Sequence, residues 1–331
     1  MGHLERIPKK VSIPIKPDEE GYVGRECPQN DCLGYFKITP GTGVKGEGDP
    51  YCYCPYCGHS GEHNKFFTRE QIEYAKSVVF HQITDAFLKD MKRLEFDHKP
   101  RGAFGIGISM KVQGRPQPVR YYRERALETQ IVCNRCTLRY AIYGVFAYCP
   151  DCGTHNSQQI LEKNLELAEK EVILATGGGH PEMSDYLVAD ALENIVSAFD
   201  GFGREICRVN AALASGQGKA ENISFQNLFR ARDRVRELFG FDLSAGIVNS
   251  EWEFANRCFQ KRHLLAHKMG IIDEAYVQST KDPLAAVGRK VRIENGEPAD
   301  LAGVIRKLGS YLAVQLEGLQ GKSPNRGPVG P

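Results

Sequence analysis

The second half of the chain carries apolar residues at helical spacing. Between 181 and 208 they recur every three or four positions, with no proline inside the pattern, at Leu187, Ala191, Ile195, Val196, Phe199, Phe202 and Ile206. Further helical patterns cover 157–176, 224–238, 247–269 and 299–317. Ser224 is the expected N-cap of the second of these, and Gly270 the expected stop of the third. The five helices predict an all-α helical bundle over 156–317, and the Pro/Gly-rich stretch 318–331 predicts a disordered tail.

The first half combines one helical pattern with short β-like segments. A helix is predicted over 68–95, where Thr68 and Gln71 form a capping-box pattern. Residues 101–132 have the composition of strands and turns. The strings YCPYCG at 53–58 and YCPDCG at 148–153 are nearly identical, which indicates an internal repeat. Each string is therefore expected to close a small metal-binding ribbon of its own.

Cysteine spacing assigns the ligands of these two ribbons. The first ribbon, 1–64, and the second, 129–155, are joined by 65–128, and each takes four cysteines: Cys27, Cys32, Cys54 and Cys57 in the first, and Cys133, Cys136, Cys149 and Cys152 in the second. Two cysteines separated by two to four residues form a short turn, called a knuckle, that offers a pair of thiolates to a tetrahedrally coordinated ion. Two knuckles complete each site, so two structural Zn²⁺ ions are expected. Cys52 and His59 stay open as alternative ligands of the first site. The predicted fold class is multidomain, with two small β zinc ribbons and an all-α bundle.

Composition decides how the cysteines are interpreted. No segment has the apolar length of a signal peptide or a membrane span, so a cytoplasmic protein without a membrane partner is expected. Thiols stay reduced in that compartment, which favours metal binding over disulfides for an odd total of eleven cysteines. Cys207 and Cys258 stand alone in apolar helical patterns and are expected in the core.

Net charge is only +2, so any attraction to nucleic acid has to be local. The segment 89–125 holds ten Lys or Arg against four Asp or Glu, with Tyr121 and Tyr122 among them. Basic residues beside aromatic rings suit single-stranded nucleic acid. A solvated charged face explains the same composition.

The pattern at 247–269 combines an apolar seam with polar side chains. The seam is Trp252, Ala255, Cys258, Leu265 and Met269, and Arg262 falls within it. Asn256, Gln260, His263 and His267 form a polar stripe beside the seam. Polar residues at helical spacing in an apolar bundle indicate a cleft. His263 and His267 also have the spacing of a helical zinc pair, but Leu264 stands where a metalloprotease carries its glutamate.

The string RHLLAH at 262–267, followed by KMGIID, resembles the R-x4-6-H motif of HEPN-domain ribonucleases. The preceding DALENIVSAFDGFGRE resembles the long helix that this family packs against its motif. The resemblance covers 160–317 and implies metal-independent RNA cleavage through the 2′-OH to a cyclic phosphate. It assigns transition-state charge to Arg262, proton transfer to His267 and substrate orientation to His263, with Glu193 or Asp200 as a partner for the arginine. Arg257 and His263 also satisfy the bare motif.

Residues five apart on a helix point about 140° from one another, so one helix is not expected to aim both Arg262 and His267 at one phosphate. The resemblance therefore implies a homodimer that combines Arg262 of one chain with His267 of the other. It further implies an RNA-cleaving toxin or phage-defence effector, whose ribbons recognise RNA, a phage or protein trigger, or an antitoxin. The alternatives are a non-enzymatic zinc-ribbon adaptor for nucleic acid or protein, a transcription-associated ribbon protein, and an inactive bundle with a satisfied polar seam.

Overall fold

The computed structural model describes residues 2–8, 10–43, 51–98, 108–177 and 181–322. Contacts divide the chain into two compact units, Met1–Thr154 and His155–Pro331. Within the described residues, no helix combines the length and the apolarity that crossing a lipid bilayer requires.

A four-stranded antiparallel sheet organises the first unit. Its strands follow the order β1, β2, β8, β7, where β1 is Val23–Glu26, β2 Tyr35–Ile38, β7 Thr129–Val132 and β8 Arg139–Ile142. The other short strands form two hairpins: β3 (Tyr51–Tyr53) with β4 (Ser60–Glu62), and β5 (Phe96–His98) with β6 (Ile108–Met110). The sheet buries Phe36, Ile38, Tyr140 and Ile142 together with six of the nine cysteines of this unit.

The two halves of this sheet are equivalent. Each half is a hairpin, β1–β2 or β7–β8, whose turn contains a pair of cysteines. In both hairpins the first strand ends one residue before the first cysteine, and the second strand begins three residues after the second cysteine. The hairpins join through β2 and β8, with Lys37 opposite Ala141 and Ile38 opposite Tyr140. Lys37 and Ala141 occupy matching positions of the two repeats, so the join has an approximate two-fold axis.

The repeated strings are related in the same way. The Tyr53 N–H donates to the Pro150 carbonyl at 2.9 Å, and the Tyr148 N–H donates to the Pro55 carbonyl at 2.8 Å. These bonds are reciprocal, because each string supplies its tyrosine as donor and its proline as acceptor. The internal repeat is thus a pair of ribbons bound to each other.

The predicted capping box is confirmed at the start of α1, Arg69–Lys92. The Gln71 N–H donates to Thr68 Oγ1 at 3.1 Å, and the Thr68 N–H donates to Gln71 Oε1 at 3.2 Å. Gln71 is buried, and its amide nitrogen also reaches the Gly24 carbonyl at 2.9 Å. The same side chain therefore both caps α1 and ties it to the sheet.

The described residues of the second unit form seven α-helices: α2 Ser157–Gly177, α3 Pro181–Val209, α4 Gln217–Ala220, α5 Leu228–Phe239, α6 Asn249–Lys268, α7 Glu274–Thr280 and α8 Glu297–Lys322. The long helix α3 packs against α2, α6 and α8. Its predicted apolar face is buried from Ala191 to Ile206, and Phe199 contacts the rings of Phe202, Phe225 and Phe259. Cys207 and Cys258 lie in this core, as predicted, and burial raises the pKa of each to about 12.

Three predicted boundaries were wrong. Helix α5 begins at Leu228, and Asn227 rather than Ser224 caps it, by accepting from the Arg230 N–H at 3.0 Å. Ser224 instead donates to the Asp200 carboxylate at 3.2 Å, which removes it from the helix. Helix α8 continues to Lys322, past the expected start of the tail at 318, and 323–331 lie outside the described residues.

The third boundary is the end of α1, which stops at Lys92 rather than at 95.

The end of α6 agrees with the predicted stop at Gly270 to within one residue, but one member of the predicted apolar seam lies elsewhere. Met269 has φ of 52° and is 88% exposed, so it leaves the apolar seam in which it was predicted. The Gly270 N–H donates to the Leu264 carbonyl at 2.9 Å, which closes the helix with a left-handed turn.

Phe199→Ala tests the core of the second unit. We expect a loss of about 3–5 kcal/mol in its free energy of unfolding, because the ring is fully buried among three other aromatic rings. Trp252 is the only tryptophan and lies in this unit, so its fluorescence in a urea titration follows this unit alone. Leu284→Ala, at a side chain that is 90% exposed, is the control and should change the value by less than about 0.5 kcal/mol.

Candidate functional site

Each predicted set of four cysteines is a compact cluster. Within a cluster all four Sγ atoms lie within 4.8 Å of one another. The distances are 3.7 Å for Cys27–Cys57 and Cys32–Cys54, 3.7 Å for Cys133–Cys152 and 3.4 Å for Cys136–Cys149. A disulfide would need about 2.05 Å. Four sulfurs about 2.3 Å from a central ion are separated by about 3.8 Å, so the clusters fit two tetrahedrally coordinated structural metal ions.

All four cysteine knuckles end in the same left-handed backbone turn. The residue after the second cysteine has positive φ in each: Leu33, Gly58, Thr137 and Gly153. In three of them its N–H donates to the carbonyl of the first cysteine, as Gly58 does to Cys54 at 3.0 Å. In the longer first knuckle Leu33 donates to Gln29 instead, at 3.0 Å, so the turn is the same although Cys27 comes two residues earlier. Residue type alone indicates a left-handed turn at the two glycines but not at Leu33 and Thr137, because only glycine adopts positive φ without a steric cost.

The alternative ligands of the first site lie outside its cluster. Cys52 is buried, and its thiol donates to the Tyr53 carbonyl at 3.8 Å. The His59 ring contacts the Gln29 amide at 3.1 Å. Burial raises the pKa of Cys27 to about 12, and a coordinated cation offsets that cost by stabilising the thiolate.

In the second unit, α6 carries the predicted motif. Trp252, Ala255 and Cys258 are buried as predicted, whereas Arg262 is half-buried and His263 and His267 are exposed. The Nε atom of Arg262 is buried without a hydrogen-bond partner among the described residues. This nitrogen is therefore not held by any acceptor of the described residues.

Lys261, the residue before the motif arginine, is a buried cation of α6 with an acidic partner. It is buried and donates to both oxygens of Glu297, at 2.6 and 2.8 Å, and to the Arg292 carbonyl at 2.9 Å. This bond network fixes α6 against the start of α8, so that Arg262 projects from an anchored helix.

Arg262, His263 and His267 line one pocket of about 700 Å³. Gln260 is the fourth residue of α6 in the pocket lining. The other lining residues belong to α4, to the segment 222–227 and to α5. The second set of cations in the lining is Lys219, Arg230 and Arg234. These three were missed in the sequence because they lie well before the motif. Their one local signal is the spacing of Arg230 and Arg234, which places both on one face of α5.

The pocket has a strongly positive lining. Four arginine or lysine side chains line it, and no carboxylate of the described part of the chain does. Glu237, outside the lining, pairs with Lys219 at 3.2 Å and with Arg234 at 2.7 Å. Hydrogen bonds from these two cations lower the pKa of Glu237, so it stays ionised at neutral pH. One carboxylate neutralises one charge, which leaves the pocket suited to an anionic ligand.

Asp200 holds one wall of this pocket. The buried carboxylate accepts from the Phe225 N–H at 2.6 Å, from Ser224 at 3.2 Å and from the Gln226 amide at 3.2 Å. Asp200 also pairs with Arg204, at 3.1 Å. The prediction that Asp200 or Glu193 holds Arg262 was therefore wrong for Asp200. Within the described residues, Arg262 pairs with neither acid.

Arg262 and His267 both line this pocket within a single chain. Whether one helix can aim both side chains at one phosphate stays a prediction. The rings of His263 and His267 lie 4.9 Å apart between centroids. Burial lowers the pKa of His263, and the charges of His267, Lys268 and Arg262 lower it further. The neutral imidazole of His263 therefore dominates at neutral pH.

The basic segment at 89–125 is partly ion-paired. Arg125 pairs with Glu70 at 3.0 Å and Lys89 with Asp85 at 2.7 Å, and 99–107 lie outside the described residues. Tyr121 is 83% exposed beside Tyr74, with ring centroids 6.0 Å apart. Binding of nucleic acid by this segment stays a prediction.

Comparison with protein-family models, with curated proteins and with solved structures found no match.

The metal content tests the two clusters. We expect two metal ions per chain by mass spectrometry of the purified protein, and one ion after Cys136→Ser, because the remaining three thiols no longer close the tetrahedron. Cys52→Ser is the matched control, since that thiol is buried near the first cluster but outside it. Loss of an ion from the control variant would return Cys52 to the ligand set.

The titration of His263 tests the electrostatics of the pocket. We expect its pKa below the ordinary histidine value of about 6.5, measured by NMR of the ring. His267→Gln should raise this pKa by removing a repulsive charge, and Asp273→Asn should lower it by removing an attractive one. A value above 6.5 in the unmodified protein would contradict the positive field.

Proposed function

We propose that the second unit is a metal-independent endoribonuclease of the HEPN type. The observation that carries the proposal is the shared pocket, in which Arg262, His263 and His267 stand with three further cations and no carboxylate among the described residues. A phosphate group of RNA is the anion that this arrangement fits, and imidazoles beside it supply proton transfer near neutral pH.

The chemistry needs no group beyond these side chains. The ribose 2′-oxygen attacks the neighbouring phosphorus and its proton passes to the imidazole of His267, while the bond from phosphorus to the 5′-oxygen breaks. The imidazolium of His267 then gives this proton to the leaving 5′-oxygen, so the products are a cyclic 2′,3′-phosphate and a 5′-hydroxyl. The Arg262 guanidinium stabilises the extra charge on the phosphoryl oxygens, and its unpartnered Nε supports that role. His263, with its lowered pKa, orients the substrate as a neutral ring.

The first unit takes two Zn²⁺ ions in this proposal. Four thiolates in a tetrahedron are the structural zinc set, and they leave no position for a reacting water. The ribbons would then recognise RNA or a protein or phage trigger, and the chain would act as a toxin or phage-defence effector.

A second candidate function is a non-enzymatic zinc-ribbon adaptor that binds nucleic acid through the first unit, at the segment that joins its two ribbons. The observation that favours it is the exposed Tyr121 ring in a basic segment, which suits stacking on an unpaired base. This function does not use the α6 pocket, so the cleavage experiment separates the two candidates.

The catalytic proposal predicts RNA cleavage in the presence of a chelator. Arg262→Ala and His267→Ala should each reduce the rate by about 100-fold or more, because each removes a group that acts in the transition state. Arg257→Ala is the matched control, since Arg257 lies on α6 outside the pocket lining and should leave the rate unchanged. Equal cleavage by all three variants would reject the proposal and favour the adaptor.

Mixing the two inactive variants tests the homodimer that the family resemblance implies. If Arg262 of one chain works with His267 of its partner, a mixed dimer keeps one intact site and the mixture regains activity. If both residues act within one chain, as their shared pocket favours, the mixture stays inactive and the cleavage proposal stands without the dimer.

A further inference from the structure

We infer that the pocket holds two consecutive phosphates of single-stranded RNA, the second on a subsite formed by Arg230, Arg234 and Lys219. This inference rests on the proposed function for the first phosphate, which lies against Arg262. It adds a substrate class, a single strand bound over more than one phosphate, and it assigns roles to three residues outside the motif.

The subsite comes from two separate elements. Arg230 and Arg234 stand four residues apart on α5, so they project from one face of that helix, and Lys219 comes from α4. Glu237 pairs with both Lys219 and Arg234, which orients these two cations side by side. Arg230 forms no ion pair within the described residues, and its guanidinium remains available to a ligand. The Asn227 cap fixes the first turn of α5, from which Arg230 projects.

Charge sets the number of phosphates. Four permanent cations line the pocket and Glu237 offsets one, so at least three positive charges face a ligand. One phosphodiester brings a single negative charge. A ligand with one phosphate therefore leaves most of the repulsion among these cations in place, whereas two linked phosphates relieve more of it.

Size selects a single strand. A cavity of about 700 Å³ falls within the range of small-molecule sites and admits one or two nucleotides. A base-paired nucleotide does not fit such a cavity unless it leaves the duplex. The amide groups of Gln260 and Asn222 also line the pocket and are suited to the edge of an unpaired base.

The experiment measures binding separately from cleavage. The probes are 2′-O-methyl RNA oligonucleotides, which lack the attacking hydroxyl, with one or two internal phosphates, and ATP as a free polyphosphate. The unmodified protein should bind the two-phosphate probe more tightly than the one-phosphate probe. Arg230→Gln should lower the affinity for the two-phosphate probe about tenfold. It should also reduce the slope of log affinity against log salt concentration by about 0.7. The affinity for the one-phosphate probe should stay unchanged.

Arg236→Gln is the matched control. It removes the same charge from the same helix, but Arg236 pairs with Asp242 and lies outside the pocket lining, so binding of both probes should stay as in the unmodified protein. Urea titrations followed by Trp252 fluorescence show whether each variant remains folded.

The outcomes separate this inference from the catalytic proposal. Equal binding of the two probes, an unchanged affinity in Arg230→Gln, or ATP bound as tightly as the two-phosphate RNA would each overturn the two-phosphate site. If Arg230→Gln weakens the probe as expected but the protein cuts no RNA, the subsite stands as a binding site and only the ribonuclease proposal fails.

Discussion

Repulsion among like charges is the constraint on which the second unit depends. Arg262, Arg230, Arg234 and Lys219 surround one pocket, and their mutual repulsion disfavours the folded chain. Bonds among the residues of the walls and their neighbours hold the pocket together against this repulsion. Lys261 and Glu297 anchor α6, Asp200 fixes residues 224–226, and Asn227 caps α5. A ligand that neutralises the cations therefore also stabilises the fold, by the free energy of repulsion that it removes.

The two units differ in how their polar side chains are partnered. In the first, every ligand position of both clusters is a sulfur, which fits a structural metal ion with no open coordination position. In the second, the charged side chains point into a cavity and Arg262 keeps an unpartnered nitrogen. A cation with every bond already made would have little to offer a substrate. The contrast between Lys261 and Arg262, adjacent in sequence, separates an anchoring charge from an available one.

Local signals predicted much of this fold. The spacing of the cysteines predicts the two clusters, and the capping box predicts the start of α1. The helical spacing of apolar residues predicts the buried face of α3. Each of these signals comes from residues that are close together in the chain. The errors came from distant partners. Ser224 has the chemistry of a cap, but the Asp200 carboxylate takes its hydroxyl from another helix. Likewise, no pattern near residue 262 indicates that Lys219, Arg230 and Arg234 complete its pocket.

The join between the two ribbons links their metal sites. The hairpins pair edge to edge through β2 and β8. The reciprocal tyrosine–proline hydrogen bonds add a second contact between the ribbons, at their second knuckles. When one ion folds its ribbon, it offers a ready template to the second, so the second ion meets a lower cost of chain ordering. Loading of one site therefore favours loading of the other.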